Sequence, residues 1–115
     1  MDNIRHNKLT QWNWVVGNPS KFKVGKNVDI GAFTYINARY GVIIEDDVQI
    51  GGGCHIYSHN TINNTKGKVI LKKGCKIGAH TVILPRTTVK RGTLIRVGSI
   101  LKGGVYNGKR KTILE

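Results

Sequence analysis

The stretch LKKGCKIGAHTVILPRTTVKRGTLIRVGSIL, residues 71–101, returns a branched aliphatic residue at every sixth position: Leu71, Ile77, Ile83, Val89, Ile95 and Leu101. An amphipathic helix repeats near 3.6 residues and a half-buried strand at 2, so neither keeps this register. Short strands joined by regular corners do keep it. A period that holds through six successive units is a structural repeat.

Toward the N-terminus the same register returns as Val24, Ile30 and Ile36, and again as Ile44, Ile50 and Ile56. A small residue usually follows four positions later, at Val28, Thr34, Val48, Cys54, Cys75, Thr81, Thr87, Thr93 and Ser99. Glycine directly follows the aliphatic residue in Val24-Gly25, Ile30-Gly31, Ile50-Gly51 and Ile77-Gly78, where a chain that keeps turning needs close backbone approach. Two intervals depart from the period. Ile36 to Ile44 spans eight positions, which predicts two extra residues at a corner near Tyr40 to Ile43. Ile56 to Leu71 spans fifteen where twelve would suffice, and the excess falls in the polar stretch Asn60 to Val69, predicting a small outward loop.

With those insertions, three columns form. Val24, Ile44, Leu71 and Val89 stack on one face, Ile30, Ile50, Ile77 and Ile95 on the next, and Ile36, Ile56, Ile83 and Leu101 on the third. Each coil then advances by one strand spacing, roughly 4.8 Å, and its backbone pairs with the coils on either side. The core of such a stack is thin and depends on neighbour-to-neighbour packing.

From Val24 to Lys102 this pattern resembles the hexapeptide-repeat proteins. The resemblance implies an all-β fold, a left-handed parallel β-helix of about four to five coils with about eighteen residues per coil, in a single domain. Residues 1–23 are then an N-terminal extension, 24–102 the repeat region with its loop near 60–69, and 103–115 a C-terminal extension. Trp12, Trp14, Val15 and Val16 in the first segment cover either the open first coil or a neighbouring subunit. The last segment is polar apart from Ile113 and Leu114. So short a solenoid would gain burial by association.

The chain has 19 lysines and arginines against 6 acids, a formal charge of +13, which attracts polyanions. The cations are scattered through corners, with no aromatic-interleaved platform and no nucleic-acid module, so nucleic acid is not the expected partner. A groove for a phosphate-bearing small molecule needs fewer cations. No apolar run approaches the length of a membrane span and the N-terminus lacks the apolar core of a signal peptide, so the expected location is cytoplasmic. Cys54 and Cys75 fall on different faces of the register, which predicts free core thiols rather than a disulfide.

Polar chemistry concentrates in Cys54-His55-Ile56-Tyr57-Ser58-His59-Asn60. His59 falls three places after Ile56, at an exposed corner beside the expected loop, where an imidazole is suited to take a proton from a hydroxyl or amine. Ile36-Asn37, followed by Ile56-Tyr57-Ser58-His59, resembles the sugar-modifying acetyltransferase branch of the hexapeptide-repeat family. The phrases Ile77-Gly78-Ala79-His80-Thr81-Val82-Ile83-Leu84-Pro85 and Val97-Gly98-Ser99-Ile100-Leu101-Lys102 look like its donor-binding coils.

That resemblance implies an O- or N-acetyltransferase that uses acetyl-CoA as acyl donor and a sugar or nucleotide-linked sugar as acceptor. It further implies a homotrimer with the donor lying in a groove between subunits. His59 is then the general base, Asn37 and Tyr57 meet the acceptor, and Gly78, Ala79, Leu84, Arg86, Arg96 and Lys102 meet the cofactor. Backbone amides in Ile77 to Leu84 are candidates for the oxyanion site. Two residues depart from the family pattern: Arg86 stands where glycine is usual, and Arg96 replaces a small residue before Val97-Gly98. No metal is expected.

Two other classes stay open. His55, His59 and His80 on this scaffold allow a zinc site of the kind found in trimeric carbonic anhydrases, although the spacing of His55 and His59 fits that branch poorly. A non-enzymatic basic β-helix would explain the charge without an acceptor pocket.

Overall fold

The computed structural model describes residues 4–108. Its strands are short and run in three parallel stacks. Face A contains Val15–Gly17, Tyr35–Asn37, His55–Tyr57, Val82–Ile83 and Ile100–Leu101. Face B contains Phe22–Val24, Val42–Ile44, Val69–Leu71, Thr87–Val89 and Gly104–Tyr106. Face C contains Asp29–Ile30, Gln49–Ile50, Lys76–Ile77 and Leu94–Ile95. The chain runs A to B to C and back to A, one coil higher. The result is a parallel β-solenoid of about five coils in a single domain, the architecture of a left-handed β-helix.

The three expected columns are those observed. Val24 pairs with Ile44, Ile44 with Leu71 and Leu71 with Val89. Ile30, Ile50, Ile77 and Ile95 align on face C, and Ile36, Ile56, Ile83 and Leu101 on face A. Nearly all of these side chains are buried, and together with Val42, Val48, Val69, Cys54 and Cys75 they form one continuous core. The pairing reaches beyond the hexad region at both ends. Val16 lies under Ile36, and Tyr106 lies over Val89.

Residues 4–14 close the lower end of the stack. Trp14 is buried and meets Phe22 edge-on at 6.2 Å between ring centres, with Trp12 stacked on its other side at 6.0 Å. These aromatics therefore cover the first coil. Residues 109–115, with Ile113 and Leu114, lie outside the described residues.

The C–A corner shows why the repeat demands small residues. A Cβ added at Gly51 would lie 2.5 Å from the backbone nitrogen of Ala79, and at Gly31 and Gly78 it would run into Gly52 and Val97 of the next coil. Arg96 takes the same place in the last described coil, where no described corner stacks on it. Three places on, the inward side chains bond to carbonyls of the coil above: Thr34 Oγ1 donates to Gly51, Cys54 Sγ to Gly78 and Thr81 Oγ1 to Arg96. Small polar residues thus pay no desolvation penalty at this corner.

The B–C corner uses acids instead. Asp46 Oδ1 accepts the Lys26 N–H at 2.8 Å from the coil below, and Glu45 Oε1 accepts the Lys73 N–H at 2.9 Å from the coil above.

All length variation falls at the A–B corner. The interval is eight positions from Val16 to Val24 and from Ile36 to Ile44, fifteen from Ile56 to Leu71, six from Ile83 to Val89 and five from Leu101 to Tyr106. The expected bulge is an antiparallel hairpin, His59–Asn60 against Thr65–Lys66. Among the described residues no helix is long and apolar enough to cross a membrane.

Candidate active site

The hairpin begins where face A ends, so the residues before it are held by the solenoid. Asn37 and Tyr57 are register partners on adjacent strands. Ser58 is buried at the corner, and its N–H and Oγ both donate to the Asn37 carbonyl, at 2.9 and 2.8 Å. Ser58 Oγ also accepts the Tyr40 N–H at 2.9 Å, tying the two corners together. His59 therefore leaves a rigid base.

The imidazole of His59 is half-buried. Its Nε2 lies 3.1 Å from Asn64 Oδ1 across the hairpin, and the Tyr40 ring meets it edge-on at 5.2 Å. Tyr40 itself is flanked by Arg39 and Lys66, whose charged groups lie 5.7 and 5.5 Å from its ring centre. Tyr57 packs 5.9 Å from Tyr35 and 6.1 Å from His55. Burial, and then the nearby Tyr35, push its phenol above the ordinary value, so it stays protonated as a donor.

The hairpin separates two basic hollows. Above it, a pocket of about 430 Å³ is lined by Leu84, Arg86 and Lys102 with the hairpin residues Asn60, Asn63 and Thr65. Below it, one of about 300 Å³ is lined by Lys21, Lys23 and Lys68 around Tyr40. The described acids lie elsewhere: Asp29 is on face C, and Glu45, Asp46 and Asp47 are at the B–C corner. Both hollows beside the hairpin are thus lined by cations and by no described acid.

Arg86 sits in the left-handed region, φ 67°, which explains why glycine suits that position. Here the strain of about 1–2 kcal/mol is offset by a hydrogen bond from Arg86 Nε to the Lys66 carbonyl at 3.0 Å. Gly67 leaves room for the arginine stem. Arg86 therefore anchors the returning strand of the hairpin to the coil above.

The remaining expected cofactor residues are on another edge. Gly78, Ala79 and Arg96 line a groove of about 640 Å³ on face C and the C–A corner, with an apolar floor that includes Ile50, Ile77 and Ile95. The structure thus brings together Leu84, Arg86 and Lys102, and separately Gly78, Ala79 and Arg96. The two sets occupy opposite edges of face A. Within the segment that supplies oxyanion candidates, the N–H groups of Gly78, His80, Val82 and Leu84 are committed to carbonyls of adjacent coils.

The three histidines considered for zinc do not converge. His55 lies along face A against Tyr57, His59 is on the hairpin, and His80 is at the C–A corner in the left-handed conformation. Among the described residues, no three His, Cys, Asp or Glu side chains are arranged to hold a metal. Cys54 and Cys75 are buried and unpaired. Burial, with the nearby Glu45 charge, pushes the Cys75 thiol up to about 12, and burial also raises Cys54. Neither has the character of a nucleophile.

Sequence reasoning missed Asn64 and Tyr40. Tyr40 belongs to a different coil, and no spacing rule joins Asn64 to His59. Only the position of Asn64 inside the inserted stretch was a signal.

No family model matches this chain. It is 28% identical over 94 residues to a UDP-3-O-acylglucosamine N-acyltransferase of Janthinobacterium sp. (strain Marseille), covering 72% of this chain and 27% of that protein. It is 29% identical over 102 residues to the protein of the same name from Herminiimonas arsenicoxydans, covering 74% of this chain and 29% of the relative. The chain thus spans less than a third of the length of these relatives. Among solved structures it is similar to a mutant of AntD, an N-acyltransferase from Bacillus cereus in complex with dTDP and coenzyme A. That match has a TM-score of 0.59 and 22% identity and covers 84% of this chain and 70% of the other. The fold resembles that of the hexapeptide-repeat acyltransferases.

Proposed function

We propose that this chain is an acyltransferase that moves an acetyl group from acetyl-CoA to a hydroxyl or amine of a sugar or nucleotide-linked sugar. The names of its relatives support acyl transfer in general, and the coenzyme A in the AntD complex supports the donor class. The observation that carries the reading is the position of His59, held by an inserted hairpin between two basic hollows.

His59 takes the acceptor proton as the acceptor oxygen or nitrogen attacks the thioester carbonyl. The tetrahedral intermediate then collapses and expels the coenzyme A thiolate, which recovers the proton from the imidazolium. No acyl-enzyme forms. Asn37 and Tyr57 orient the acceptor, and the cations beside Tyr40 suit a phosphate-bearing one. Arg86 and Lys102 meet donor phosphates in the upper hollow.

Gly78, Ala79 and Arg96 join the same site in a homotrimer, where the A–B corner of one copy faces the C–A corner of the next. A cyclic, heterologous interface closes in this way. Ala79, at the groove, is the candidate oxyanion amide.

The test combines binding and turnover. Coenzyme A is titrated at low and high salt, and thiol release is followed with a panel of sugar and nucleotide-sugar acceptors. Salt-sensitive binding is expected. His59→Ala lowers turnover by about 10²–10⁴-fold while coenzyme A binding persists. Absence of coenzyme A binding at low salt, combined with tight polyanion binding of steep salt dependence, would instead identify a non-enzymatic basic module.

A further inference from the structure

We propose that Asn64 is a positioning residue for His59 and that it makes Nδ1, not Nε2, the nitrogen that accepts the proton. This rests on the acyl-transfer reading. An amide oxygen only accepts hydrogen bonds, so Asn64 Oδ1, 3.1 Å from Nε2, requires the proton to sit on Nε2. The neutral ring then has its lone pair on Nδ1.

The hairpin is built to deliver that amide. Asn60 Oδ1 accepts the Ile62 N–H at 3.2 Å, and Asn63 Oδ1 accepts the Thr65 N–H at 3.1 Å and the Thr65 hydroxyl at 2.8 Å. These bonds fix the turn. Asn64 adopts φ 56°, a left-handed conformation that asparagine tolerates, and its side chain reaches back to the imidazole five residues earlier. Tyr40 stands edge-on to the same ring. The imidazole is thereby held from two elements, the hairpin and the preceding coil.

The surrounding charges make the arrangement distinct from a carboxylate-backed base. Lys66 is the register partner of His59, and Arg39 and Lys66 flank Tyr40. The described acids are on face C or at the B–C corner. During transfer, the acceptor O–H or N–H bond breaks as the acceptor bonds to the thioester carbon, and its proton moves to Nδ1. The imidazolium carries protons on both nitrogens until the departing thiolate takes the one on Nδ1. Asn64 Oδ1 keeps its bond to Nε2–H throughout and stabilises the cation through a dipole alone.

The test uses the full chain, ¹⁵N-labelled, with long-range ¹H–¹⁵N spectra of the histidines above the imidazole titration. Wild-type His59 is expected as the Nε2-protonated tautomer. Asn64→Gly keeps the backbone conformation and removes the amide. It should give a mixture of tautomers and lower kcat by about 10–100-fold, with KM within about twofold. Asn64→Asp retains an acceptor for Nε2–H, recovers most of kcat, and moves the acidic limb of the rate profile to higher pH, because its carboxylate favours the imidazolium against Lys66 and Arg39. An Nδ1-protonated wild type, or an Asn64→Gly protein with unchanged tautomer and kcat, would overturn the assignment. Full activity in His59→Ala would instead remove the base role itself, whatever the tautomer shows.

Discussion

The C–A and A–B corners turn the same chain through the same prism, yet they are built on opposite terms. At C–A the four quartets Gly31–Thr34, Gly51–Cys54, Gly78–Thr81 and Arg96–Ser99 are equal in length. Their third places are all left-handed, with φ of 64° at Phe33, 69° at Gly53, 58° at His80 and 75° at Gly98. The first three quartets are each packed by the next, so their length and conformation are fixed by contact. At A–B the intervals run from fifteen positions to five, and the longest carries His59 and Asn64. The difference teaches that this solenoid specifies its fold at one edge and leaves another free to carry the proposed site.

Four experiments would break or sharpen that contrast. Deleting residues 59–67 shortens the Ile56-to-Leu71 interval from fifteen positions to six, the length found between Ile83 and Val89. Turnover should fall by about 10²–10⁴-fold, the contribution of a general base, while cooperative unfolding persists. Loss of the folded state would show that the A–B corner is also structural. Gly78→Val should cost about 3 kcal/mol in denaturant unfolding, because its side chain meets the Val97 backbone rather than a yielding side chain. A neutral result there would end the claim that stacking fixes the C–A corner.

A finer comparison uses two buried threonines. Thr81 Oγ1 donates to the Arg96 carbonyl, whereas Thr93 Oγ1, at the B–C corner, has no partner among the described residues. Thr81→Val should therefore lose about 1 kcal/mol and Thr93→Val gain about 1 kcal/mol. Equal effects would mean that the hydroxyl ladder contributes nothing specific. The last test is one of pH. The folded protein holds the Cys75 thiol near 12 against an ordinary value of 9.0, so the folded state favours the protonated thiol. That stability is fully present below pH 9.0 and is lost as the pH rises from there toward about 12. Thiol reagent at pH 8 should leave Cys54 and Cys75 unmodified until denaturant is added. Rapid labelling of the native protein would show that the stack opens locally.

The contrast also explains what the sequence disclosed. The columns through Ile36, Ile50 and Leu71 were legible because each coil must offer a branched side chain at a fixed place, and two of the three corners never change length. Val16 escaped because the eight-position interval to Val24 hides its place in the Ile36 column. The position of the insertion was legible, but its pairing as a hairpin was not, since His59-Asn60 and Thr65-Lys66 carry no strand pattern. His59 stood out as a titratable residue at a corner. The partner proposed to orient it, Asn64, lies across a turn fixed by the side chains of Asn60 and Asn63, and no periodicity encodes that.

Confining length changes to one edge has a further consequence for descent. Residues can be gained or lost at the A–B corner without re-pairing a single strand of faces A, B or C, because the coils on either side keep their register. That edge is a seam along which lineages can trade recognition elements while inheriting the prism intact.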